Sequence, residues 1–203
     1  MNRNYIFLTI LMLFLAVGTI FLNKTEKLKQ IEPDKLLWEI IQPTRYVSTD
    51  QVAKMIIQQD PSLEIIDVRN EKEFNNFSLP KAINIPVDSL LSETSLENFG
   101  IPGTKVVFIS NDDIKADQAW IIAKRLGFDG MYVMRGGLNC WMRTIIQPVE
   151  PPEYAPLTEF ATYEFRKGAK LYFTGAKPEN TETKKVKVIV KRRKKTKAAS
   201  GGC

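Results

Sequence analysis

The chain has 203 residues, enough for one ordinary domain and some appendages, with 44% hydrophobic and 26% charged residues. It contains no histidine and two cysteines, Cys140 and Cys203. That composition excludes Ser/His and Cys/His catalytic pairs, histidine metal sites and a disulfide framework, so no metal or other cofactor is expected. The net charge of +6 is local: nine of the 29 Lys and Arg lie between Lys184 and Lys197, and the remaining 20 face 23 acidic residues.

Tyr5 to Leu22 is an uncharged run of eighteen residues, preceded by Arg3 and followed by Asn23 and Lys24. A helix needs about twenty apolar residues to span a bilayer, so residues 1–22 are expected to be an uncleaved single-span anchor, with a cleaved signal segment as the other reading. Arg3 at one end competes with Lys24, Lys27 and Lys29 at the other. The expected orientation puts the soluble part outside the cytoplasm, in a periplasm-like space. Residues 23–45 form a lead-in, with Leu36, Leu37, Ile40 and Ile41 at helical spacing.

Ser48 or Thr49 can cap a helix whose stripe is Val52, Met55 and Ile56. Four short apolar runs follow, Leu63–Val68, Ala82–Pro86, Lys105–Ser110 and Gly130–Arg135. Between the last two, Ala116, Ala119, Trp120, Ala123 and Leu126 recur at helical spacing. Strands alternating with helices of this size predict an α/β domain over 46–148, with a central parallel sheet flanked by helices. Pro148, Pro151, Pro152 and Pro156 mark its exit, 149–173 reads as a helical extension, and 174–203 as a disordered basic tail ending in Gly-Gly-Cys.

Three stretches together resemble the rhodanese-like domains: "IIDVRNEKEF" (65–74), "SLPKAINIP" (78–86) and "RLGFDGMYVMRGGLNCW" (125–141), in the family's order. Within them Asp67 and Arg69 read as a charged pair at a strand's carboxyl end, and Gly136 and Gly137 as a tight strand-to-helix turn. The family's usual G-H-I-P-G is replaced by Phe77-Ser78-Leu79-Pro80-Lys81. In active members, the resemblance implies, a cysteine ends the strand and a six-residue loop of backbone amides cradles an anionic sulfur donor. In the family's register that position falls on Ser110. The loop is then Ser110, Asn111, Asp112, Asp113, Ile114 and Lys115, with Ala116 opening the helix.

A serine hydroxyl cannot form the S–S bond that stores transferred sulfur, and Asp112 and Asp113 put negative charge where an anion would bind. Transfer through this loop is therefore not expected. "SNDD" serves equally as a helix N-cap, or as a site for a cation, an amine or a partner's basic segment. Cys140 reads first as a small buried hydrophobe. Cys203 ends a tail with a reach of roughly 30 Å, suited to carrying sulfur as a persulfide.

Two functions follow. One is a membrane-anchored relay of sulfane sulfur, with Cys203, or less readily Cys140, as carrier and a donor or acceptor protein as partner. The other is a non-catalytic module recruiting a partner through Ser110–Lys115. The basic tail can touch anionic lipids; nucleic acid is not expected, for no aromatic stacking platform accompanies the charge.

Overall fold

The structure, a computed structural model, describes residues 3–20, 30–99 and 101–175. Five parallel strands build one sheet in the order β1-β5-β4-β2-β3: Tyr46–Val47 (β1), Leu63–Asp67 (β2), Ile83–Asn84 (β3), Lys105–Ile109 (β4) and Met131–Met134 (β5). The central strands are mostly apolar because both faces are covered. Ile66, Val106, Phe108, Met131 and Val133 point to one side, where Ala116, Ala119, Trp120 and Ala123 complete a core. Ile65, Val107, Ile109 and Met134 point to the other, packing with Val52, Ala53, Ile56, Leu138, Trp141 and Ile145. This is the period of two expected of strands.

Helices follow as the sequence orders them: Arg3–Ile20 (α1), Pro33–Ile41 (α2), Thr49–Ile57 (α3), Glu71–Asn76 (α4), Glu93–Leu96 (α5), Ile114–Arg125 (α6), Gly137–Trp141 (α7) and Leu157–Thr174 (α8). Ser48 caps α3 in a reciprocal box, its hydroxyl accepting from Gln51 N while the Gln51 side chain accepts from Ser48 N. The chain leaves α7 through a π-helical turn, Met142–Ile146.

Two expectations are corrected, and one, the membrane span, lies partly outside the described residues. No helix among the described residues is long and apolar enough to cross a membrane. The apolar part of α1, Tyr5–Ile20, is roughly 24 Å long against about 30 Å of hydrocarbon, and residues 21 and 22 lie outside the described ones. The lead-in helix buries only half of its predicted stripe: Leu36 and Ile40 turn inward, while Leu37 and Ile41 are exposed. The helix after the loop opens at Ile114, two residues earlier than predicted, because the Asp112 carboxylate accepts from Ile114 N at 3.0 Å.

The extension is a full part of the domain. Helix α8 buries Ala169, sets Phe173 edge-on against Trp141 at 4.9 Å between ring centroids, and pairs Arg166 with both oxygens of Asp50 on α3 at 2.8 and 2.7 Å. Phe160 and Tyr163 on the same helix are only half-buried. Phe173→Ala is therefore expected to lower unfolding free energy by about 2–3 kcal/mol in urea titrations followed by tryptophan emission, less than a fully buried Phe would.

Candidate functional site

Parallel strands carry their C-terminal ends to one edge of the sheet, the usual place for a site in such folds. Here β2 delivers Asp67, β4 delivers Ser110, and β5 delivers Gly136 and Gly137. The sequence-predicted residues Asp67, Arg69, Ser110–Lys115, Gly136, Gly137 and Cys140 converge at this edge. Cys203 lies outside the described residues.

Asp67 is fully buried and Arg69 nearly so. The Arg69 guanidinium donates to both Asp67 oxygens, Nε to Oδ1 at 3.0 Å and Nη2 to Oδ2 at 2.6 Å. A buried carboxylate needs such partners, and two more come from Arg69 N at 3.0 Å and the Ser78 hydroxyl at 2.7 Å. The other end of Arg69 reaches outward, Nη1 donating to Asn111 Oδ1 at 3.0 Å and Nη2 to the Phe77 carbonyl. Asn111 in turn donates to Glu73 Oε1 at 2.6 Å, and Asn70 to Glu73 Oε2 at 2.6 Å. One chain of charge-assisted bonds thus runs from the end of β2 to the loop and on to α4.

The loop itself is closed by its own side chains. Ser110, 1% exposed, donates its hydroxyl proton to the Asp112 carbonyl and accepts from Ala116 N at 3.3 Å. The Asp113 carboxylate accepts from Gly136 N. Backbone bonds fasten the loop to α7, Leu138 N donating to the Ser110 carbonyl at 2.8 Å and Asn139 N to the Asn111 carbonyl at 3.0 Å. Gly137 permits this approach: its φ is +55°, and a Cβ there would collide with the Ser110 carbonyl oxygen. Cys140, half-buried, packs its side chain on Gly136.

What remains outward is the Asp112 carboxylate and Lys115, both exposed, with Ile114 (65% exposed) and Phe77 (42% exposed). No described group of three acidic or cysteine side chains could hold a metal ion. Glu73, Ser78 and Asn84 are site residues that sequence reasoning passed over. Asn84 Nδ2 donates to the Asp67 and Arg69 carbonyls at 2.9 and 2.8 Å. Only Glu73 had a signal, since Asn70-x-x-Glu73 is a helix-start pattern.

The rhodanese-like domain family model matches residues 48–144. An uncharacterized protein of Buchnera aphidicola subsp. Baizongia pistaciae is 26% identical over 141 residues, 68% of this chain and 86% of that protein. The mitochondrial thiosulfate sulfurtransferase RDL2 of Saccharomyces cerevisiae is 24% identical over 103 residues, 46% of this chain and 69% of its own. Among solved structures, the yeast single-domain sulfurtransferase RDL2 superposes with a TM-score of 0.43 at 22% identity, covering 53% of this chain and 95% of that one. The BH2092 protein of Bacillus halodurans gives 0.46 at 17% identity, with 55% and 82% covered.

Removing one partner of a buried ion pair leaves the other charge uncompensated. Arg69→Met is expected to cost about 3–5 kcal/mol of unfolding free energy, read from the shift of the urea midpoint.

Proposed function

Residues 48–144 being a rhodanese-like domain, we propose that the chain uses it as a binding module, engaging a partner through Ser110–Lys115 without transferring sulfur there. The observation that carries this reading is the closure of the loop by its own side chains. Asp112 takes the amide of Ile114, one of the loop donors an anionic substrate would need, and Asp113 takes that of Gly136 beside the loop. Each carboxylate would further oppose a bound dianion by on the order of 1 kcal/mol at loop depth. With Ser110 at the nucleophile's position, the hydroxyl is spent on the Asp112 carbonyl and has no histidine to activate it.

An exposed carboxylate beside Ile114 and Phe77 suits a partner segment that pairs a basic side chain with an apolar one. Attachment to a membrane through residues 5–22 completes the reading. It is supported by the uncharged sequence there and by the exposure of Phe7 and Phe14, 67% and 75%.

A second reading is favoured by the likeness to the yeast thiosulfate sulfurtransferase. There, the Cys203 thiolate would attack the outer sulfur of thiosulfate, form an S–S bond and release sulfite. The persulfide would then pass to an acceptor protein's thiolate.

Two measurements separate the readings. The full chain given thiosulfate and cyanide is expected to form no thiocyanate above the uncatalysed rate, and intact-mass spectrometry to find no added sulfur. A gain of one sulfur abolished by Cys203→Ser would establish the relay instead. Binding of a lysine- and isoleucine-containing peptide is expected to weaken about tenfold on Asp112→Lys, the equivalent of roughly 1.4 kcal/mol, in calorimetric titrations. An unchanged affinity would move the docking surface off the loop.

A further inference from the structure

Between the π-helical turn and α8 runs a segment, 148–156, in which four of nine residues are proline: Pro148, Pro151, Pro152 and Pro156. Each proline fixes its own φ and pushes the residue before it toward extended backbone. Glu150 and Pro151 both stand before prolines, so the chain up to Pro152 favours the polyproline II conformation. Three residues make one turn of that helix, which sets Pro148 and Pro151 on one side and Val149 and Pro152 on another. Burial follows this spacing: Pro148 and Pro151 are half-buried, while Val149 and Pro152 are exposed. Beyond them Ala155 N donates to the Pro152 carbonyl at 2.8 Å, closing a turn with Glu153 and Tyr154 at its tip. Pro156, at φ −60° and ψ 149°, then leads into α8.

The segment holds apolar side chains out in water. Tyr154, Leu157 and Val149 are 91%, 86% and 84% exposed, more than any other large apolar side chain among the described residues. A single exposed hydrophobe is ordinary, but three within nine residues mark a surface that another molecule covers. Both ends are fixed to the domain. Ile145 before the segment is fully buried, and α8 after it is fastened by Arg166 on Asp50. A stretch stiffened by prolines and anchored at both ends loses little conformational entropy on binding.

Charge narrows the kind of partner. From Thr144 to Phe165 the sequence holds Glu150, Glu153, Glu159 and Glu164 and neither lysine nor arginine. All four are exposed. Lys167 lies within electrostatic reach of Glu150 but pairs with Glu164 at 3.2 Å. The ridge is therefore acidic as well as apolar.

We infer that residues 148–157 are a recognition segment for a proline-binding groove on another protein, one lined by aromatic rings and rimmed by basic side chains. Flat aromatic rings pack against proline rings and against the Tyr154 phenol, and the polyproline II backbone reaches such a groove already ordered. A basic rim complements Glu150 and Glu153. This surface is separate from the Ser110–Lys115 loop. Gly137–Ile146 carries the chain away from the loop for ten residues, roughly 15 Å along the helix axis. The two surfaces can be occupied together, and the inference does not rest on the function proposed for the loop.

A WW domain presents a groove of this kind and serves as the probe. The full chain, in detergent micelles, would be titrated into the isotope-labelled domain and followed by nuclear magnetic resonance. The expected result is saturable movement of the amide signals around the groove's aromatic residues. Tyr154→Ala, and separately Pro151→Ala with Pro152→Ala, should each weaken the binding by about tenfold or more. Tyr154 touches so little of the domain that its replacement should leave the far-ultraviolet circular dichroism unchanged. Absence of any movement at the groove would overturn the inference. So would binding that survives Tyr154→Ala and the paired proline substitutions at full strength, since the contact would then lie elsewhere on the chain.

Discussion

The buried pair of Asp67 and Arg69 is the interaction on which the rest of this site depends. Asp67 ends a central strand and is sealed from water, so its charge is tolerable only because a guanidinium and two further donors surround the carboxylate. Asn84 on β3 serves the Asp67 backbone carbonyl. Having fixed Arg69, the pair leaves one guanidinium nitrogen to hold Asn111. Loop placement is thereby coupled to the middle of the sheet.

A second constraint comes from the other side of the loop. Gly136 and Gly137 both adopt left-handed backbone, φ +72° and +55°, and bring the start of α7 within hydrogen-bonding distance of Ser110 and Asn111. The loop is thus gripped between Arg69 and α7. A loop held this firmly, with the Ser110 hydroxyl and the Asp112 and Asp113 carboxylates bonded locally, presents a preorganised surface for recognition. Its outward chemistry is set by Asp112, Ile114 and Lys115.

The segments flanking the matched residues 48–144 are integrated to different degrees. Helix α8 contributes Phe173 and Arg166 to the core side facing α3 and α7, so the folded unit extends beyond the family boundary. Helix α2 docks with one face and leaves the other in solvent. Lys81 shows local cost elsewhere: it takes φ +62° at a place where the family usually has glycine, a conformation disfavoured by about 1–2 kcal/mol for a side chain with Cβ.

The sheet and its order of elements were legible in the sequence because burial on both faces demands mostly apolar runs, and 63–68, 105–110 and 130–135 are such runs. The Ser48 cap, the Asp67–Arg69 pair and the paired glycines were legible for a similar reason: each requirement is local and few residue types meet it. Strands β1 and β3 were reduced or passed over, since two residues give no periodicity to read.

The side of α2 that meets the domain was hidden, because Leu36, Leu37, Ile40 and Ile41 are equally apolar and only docking distinguishes them. The roles of Glu73, Ser78 and Asn111 were hidden too, for they depend on contacts spanning 11 to 42 positions. By itself, then, the sequence determined the fold, the charged pair and the absence of histidine, which are matters of composition and local pattern. Only the tertiary structure decided that the loop is closed upon itself, since hydrogen bonds between distant segments settle which polar groups are left to face a partner.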